Sequence, residues 1–277
     1  MSEDKNLTGE LVKQTKGVLE KAYDDLAHPT AKSIGNTLSL IPRTVGVWLG
    51  KWEKWVINGE ESIRLTTQAV AEGASKIPPE KLTEPEPYVV VPAIQQLSYC
   101  YDSEELRQLY ANLLVSSMNS DTKWKVHPSF SAIIQQLTPD EVKLLSYLDS
   151  ESSKSIAIVN IDVMITGSRN GVLTPLKWFS HIYGQIMDVP DNYLVYIDNL
   201  MRLNLCDVPG TFLLDDKRYS EIFQSKAYVS SPYSSIVRQG TIKVSNEDSQ
   251  LKGTVKKLSL DLTNFGKEFC EICVRRQ

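Results

Sequence analysis

TPDEVKLLSYLDSESSKSIAIVNIDVMITG, residues 138–167, sets a helix and a strand one after the other. Thr138 offers a capping hydroxyl, Pro139 a residue preset for the first helical position, and Glu141 an acid three places on, which together make a capping box. The spacing predicts a helix from there to about Asp149. SIAIVNIDVMITG is β-branched and partly alternating, so a strand is expected to run to Gly167. Downstream, Leu176 to Met187 and Asn192 to Leu203 read as two helices separated by Asp188-Val189-Pro190. The polar stretch from Ser225 to Gly253, rich in Ser, Gln and Asn, reads as a mobile insertion. Order returns in VKKLSLDL (255–262), and Thr263 caps a final helix through Phe265, Phe269, Ile272 and Cys273.

The resulting order, helix, strand, helix, helix, strand, strand, helix, resembles a winged-helix module. IDNLMRLNLCDV (197–208) and LTNFGKEFCEIC (262–273) stand where such a module ends. Working toward the N-terminus, Ser129 to Leu137 reads as a short helix. Ile94, Leu97 and Tyr101, then Leu106, Leu109, Tyr110, Leu113 and Leu114, mark two more, the second capped by Asp102 or Ser103. IPPEKLTEPEPY (77–88) is a linker, because four prolines fix φ and push their predecessors toward extended conformations. Glu60 to Lys76 is helix-forming. Before it, Leu11, Val18, Ala22 and Leu26 form one amphipathic stripe. Ile34, Leu38, Ile41, Val45, Trp48, Trp52 and Trp55 form another, interrupted at Pro42. The expected fold class is therefore mainly α with a minor β component. Residues 1–76 form an amphipathic helical region, 77–137 a helical core with a proline-rich entry, and 138–277 a winged-helix-like domain with a polar insertion near 225–253.

The chain has 277 residues, 42% of them hydrophobic, and a formal charge of −4. That is enough apolar material for at least one substantial core, and it removes any blanket attraction to nucleic acid. The start shows neither secretory nor transit character, and no run of about 20 apolar residues exists to span a bilayer. Four cysteines are too sparse for a disulfide scaffold, so a cytoplasmic protein with reduced thiols is expected.

Familiar chemistry is missing. There is no GxSxG elbow, HExxH helix or P-loop. His28, His127 and His181 are widely separated, with turn or packing roles expected for His127 and His181. Cys270 and Cys273 form a lone CxxC, short of the four ligands structural zinc needs. No catalytic residue, cofactor or metal is expected. The most unusual feature is the face carrying Trp48, Trp52 and Trp55, flanked by Arg43, Lys51 and Lys54. It suits packing against a core or protein partner, or contact with a membrane surface. The predicted helix 192–203 carries only Asp198 and Arg202 as charges. That argues for protein contact over DNA reading, although Lys252, Lys256 and Lys257 keep weak DNA binding open.

The central block resembles the abortive-infection alpha family of bacterial proteins. The residues that carry the likeness are Ile77-Pro78 with Glu84-Pro85, Tyr99 with Asp102, Glu105-Leu106 with Leu113-Leu114, His127-Pro128 with Phe130, and Leu137 ahead of Pro139-Asp140. The resemblance implies a bacterial or phage-related setting and a role in limiting phage infection, without an established active site. The expectation is a non-enzymatic defence protein that binds a phage or host protein. The alternatives are a membrane-directed effector acting through the tryptophan face, a winged-helix DNA-binding regulator, and a hydrolase or nuclease assembled from ordinary positions.

Overall fold

The computed structural model describes residues 60–97, 103–166, 171–213, 215–243 and 250–275. Within them the fold is mainly helical with one antiparallel sheet, and the chain divides into two units, 1–137 with 271–277, and 138–270. The tryptophan face with Arg43, Lys51 and Lys54, together with Tyr99 and Asp102, lies outside the described residues.

In the first unit, α1 (Glu60–Ser75), α2 (Pro87–Leu97), α3 (Glu104–Ser117) and α4 (Phe130–Ile134) follow the apolar spacing of the sequence. Pro79 opens a short 3-10 turn and Pro87 opens α2, so the prolines act as start signals as well as breakers. Ser103 Oγ accepts from Leu106 N at 3.3 Å, and Glu104 and Glu105 sit in the first turn of α3, where the helix dipole favours acids. Leu97, Tyr110, Leu113, Leu114, Phe130 and Ile134 are fully buried here. The buried polar residues of α3 have a structural use. Asn112 Nδ2 donates to the Cys273 carbonyl at 2.8 Å, and Ser116 Oγ to the Ile272 carbonyl at 3.0 Å. Those carbonyls belong to the last turn of the final helical run, a π-helical turn over Cys270–Val274, where the closing carbonyls have no partner within the helix.

The second unit begins with α5 (Pro139–Ser150), whose capping box is complete: Thr138 Oγ1 accepts from Glu141 N, and Glu141 Oε2 accepts from Thr138 N at 2.6 Å. Strand β1 (Ser155–Thr166) follows, then β2 (Gly171–Phe179), α6 (Tyr183–Ile186), α7 (Tyr193–Arg202) and the two-residue β3 (Cys206–Asp207). After them come α8 (Asp216–Gln224), α9 (Lys226–Val229), α10 (Pro232–Gln239), β4 (Thr241–Lys243), β5 (Gln250–Leu262) and α11 (Asn264–Phe269). The strands are ordered β2-β1-β5-β3, and β4 pairs with the other end of β5. β1 and β5 are in register from Ser155 opposite Asp261 to Thr166 opposite Gln250. Alternation puts Ala157 and Val159 on one face, packed against Tyr219 and Ile222 of α8. Ile156, Ile158, Leu258 and Leu260 are buried on the other face, and α5 contacts both strands.

Two expectations are corrected here. Leu176 to Met187 is not a helix: its first part completes β2, and only Tyr183–Ile186 is helical. Val172, Thr174, Trp178 and Phe179 favour extended backbone, and Pro175 is tolerated because β2 is an outer strand. The polar stretch 225–253 is not an unstructured insertion either, since α9, α10, β4 and the start of β5 lie in it. Two of its serines are helix starts. Ser225 Oγ accepts from Tyr228 N, and Ser231 precedes Pro232 at the first position of α10. α10 lies so close to β5 that a Cβ on Gly253 would stand 2.9 Å from Val237 N, an approach only glycine allows.

Candidate functional site

Trp178, near the end of β2, has φ of 53°, a left-handed conformation that a bulky side chain rarely adopts. Neighbours hold it there. Its N–H donates to Asn160 Oδ1 at 2.8 Å, its carbonyl accepts from the Tyr183 hydroxyl at 2.9 Å, and Lys177 Nζ lies 3.5 Å from its ring centre. Such strain persists only where the surroundings over-determine it. Two residues later, Ser180 and His181 line a cavity of about 200 Å³ between the end of α5, the start of β1 and the first turns of α8.

The opposite wall is a charge network. Arg218 pairs with Glu151 at 3.0 Å and Asp215 at 3.6 Å, and donates to the Ser155 carbonyl at 3.0 Å and to Ser153 Oγ at 3.3 Å. Its fork is therefore committed. Burial raises the Tyr147 phenol above its ordinary value, and the Glu151 carboxylate adds to the rise. Lys217 and Glu221 line the cavity as exposed residues, and Ile156, Ala157 and Ile182 add apolar surface.

The buried Ser180 Oγ and the His181 Nδ1 have no hydrogen-bond partner. His181 therefore does not take the Ser180 proton in this geometry, and the pair is not an activated nucleophile. Burial lowers the His181 imidazole below its ordinary value, and the Glu221 charge offsets this only in part, so the ring is neutral near pH 7. Among the described residues, no group of three or more His, Cys, Asp or Glu could hold a metal ion.

The residues singled out from the sequence lie elsewhere. His127 is exposed, with Nδ1 2.7 Å from Ser129 Oγ and accepting from Ser129 N at 3.2 Å, and its ring is tilted against Phe130. That is a turn role. Pro128 is exposed, Phe130 and Pro85 are buried, and the carbonyl of the exposed Glu84 accepts from Lys123 Nζ at 2.7 Å. Cys270 and Cys273 are fully buried. Sequence reading missed Ser180, Glu151 and Arg218 altogether and placed His181 inside a helix. The signal that bears on them is the β-forming run before Ser180, which ends the strand where the cavity begins.

A family model described as abortive infection alpha matches residues 58–273, which is most of the chain. This chain belongs to the abortive infection alpha family. Membership brings an abortive-infection, phage-defence role to the protein. No curated protein and no solved structure matches it. The matched region of this abortive infection alpha protein takes in both units, the cavity included. No described helix is long and apolar enough to cross a membrane.

Proposed function

We propose that this abortive infection alpha protein defends the cell without catalysis, by binding an extended segment of a phage or host protein along the outer edge of β2. The observation that carries the reading is that, among the described residues, β2 ends the sheet and exposes Gly171 to Thr174 in succession, with Val172 60% and Leu173 58% accessible. Met164, opposite Val172 on β1, is also exposed. An outer strand presents unpaired N–H and C=O groups, and side chains on it select the partner. Natural edges are usually blunted by charge or proline, and 171–174 carries neither, Pro175 and Lys177 closing the open stretch at its far end.

Protection against phage should be lost when Val172→Asp and Leu173→Lys are combined. Both side chains are exposed, so folding should change by no more than about 0.5 kcal/mol, a point checked by thermal melting. Plating efficiency measured across a phage panel reads the effect. A folded double variant that protects as well as its parent would sink the proposal.

We also infer a winged-helix-like second unit. Support comes from α5, β1, α6, α7, β3 and β5 following in that order, with β5 between β1 and β3, β2 added after β1, and α8 to α10 with β4 inserted before β5. The helix in the recognition position, α7, exposes Val195 and Asp198 and carries one basic residue, Arg202, which is hydrogen-bonded to Asn199. That surface favours protein contact over groove reading. The membrane reading through Trp48, Trp52 and Trp55 rests on the sequence alone.

A further inference from the structure

We propose that the Ser180-His181 cavity is a binding site for a small uncharged ring bearing both a hydrogen-bond donor and an acceptor, of the size of a free nucleobase or a pentose. Three properties of the cavity select that chemistry.

The first is size. At about 200 Å³ it is more than ten times the roughly 10–15 Å³ that one water requires. It is also smaller than the roughly 300 Å³ at which sites for drug-sized ligands begin, which suits one small ring.

The second is charge. Glu151, Asp215 and Glu221 face Lys217 and Arg218, and the guanidinium is already engaged by two of the carboxylates. An anion would meet an excess of negative charge and no open fork, and a cation would have to compete with Arg218 and Lys217 for the carboxylates.

The third is the pair of orphaned atoms. Ser180 is 2% exposed and its hydroxyl has no partner, and neither does the His181 Nδ1 beside it in sequence. Buried polar atoms in native proteins are paired in the great majority of cases, so two together in one cavity ask for a partner from outside the chain. A hydroxyl gives and takes a hydrogen bond and a neutral imidazole does one or the other, so a ligand carrying both functions completes them.

Isothermal titration of the full chain with uracil, adenine and D-ribose separates base from sugar, with inorganic phosphate as the charged control. Saturable binding of a base or of the sugar, but not of phosphate, is expected, at least tenfold weaker in Ser180→Ala. In the same variant the thermal midpoint without ligand should not fall, because a partnerless hydroxyl contributes nothing to remove. His181→Gln serves as a second variant should Ser180→Ala fail to fold, and the same tenfold loss is expected. The proposal is overturned if none of the three uncharged probes binds at concentrations on the order of 10 mM. It is equally overturned if folded variants bind as the parent does, or if phosphate alone binds, since the cavity then holds only water or an adventitious ion.

Discussion

Two buried polar nodes in the second unit invite comparison, the start of α5 and the end of β2. At the first, Asp140 is 5% exposed and its carboxylate is saturated. It accepts from Asp188 N and Val189 N at 2.9 Å each and from the Tyr196 hydroxyl at 3.3 Å, and Lys143 Nζ lies 3.6 Å away. Beside it, Glu141 accepts from Thr138 N and from Asn199 Nδ2 at 2.7 Å. At the second node, Ser180 and His181 keep atoms with no partner at all. The same unit thus shows what a node built for stability looks like, and the other departs from it where a cavity opens. A satisfied node rigidifies a fold, while an orphaned one is a standing cost that only a further partner relieves.

Mutations should separate the nodes by size of effect. Asp140→Ala takes the acceptor from two part-buried backbone N–H groups and the buried Tyr196 phenol, and should cost about 3 kcal/mol in urea unfolding. A loss under about 1 kcal/mol would erase the contrast.

Acid should act on the same side chain. Burial pushes the Asp140 carboxyl up, but the Asp188 and Val189 amides, Lys143 and Tyr196 together hold it below its ordinary value. A lowered folded value means stability that is present above the ordinary aspartate pKa of about 3.9 and drains away as pH falls through that value and the lower folded one. His181, also lowered, withdraws stability in a separate window, as pH falls below the ordinary value of about 6.5. Unfolding midpoints followed from pH 7 to pH 3 should show both steps, the upper one absent in His181→Gln.

Thr138→Ala removes one half of the capping box, for an expected loss of about 1 kcal/mol in the same urea assay. At the small end stands Ser180→Ala, whose unliganded stability should not fall. If Ser180→Ala destabilised the chain as much as Thr138→Ala, its hydroxyl would have a partner in solution and the two nodes would be alike.

The capping box of the first node was written in the sequence, while Asp140's bonds to Asp188, Val189 and Tyr196 and the whole second node were not, for a physical reason. Capping is local. Thr138, Pro139 and Glu141 act within one turn, as Ser103 does at α3, so three or four adjacent letters suffice. The cavity draws Glu151, Ser180 and Arg218 from three separate elements, and no short spacing records that. The helices of 225–239 were hidden by composition, because Ser225 and Ser231 look like loop residues until each is seen starting a helix. The strand at 171–179 was hidden by periodicity, because Leu176 and Phe179 fall three apart and imitate a helix face. The resemblance to the abortive infection alpha family, carried largely by residues such as Phe130 and His127-Pro128, identified the chain through turn and core positions far from the cavity.

The long ladder between β1 and β5 also has a consequence in time. Its paired residues are between 84 (Thr166 with Gln250) and 106 (Ser155 with Asp261) positions apart, and pairings so remote in sequence are slow to close. During synthesis, at about 5–20 residues per second, β1 leaves the ribosome several seconds before the strand that completes it. Until residue 262 emerges, both long edges of the β1-β2 hairpin are open, so the newborn chain depends on whatever shields Ile156, Ile158 and Ile161 during that interval.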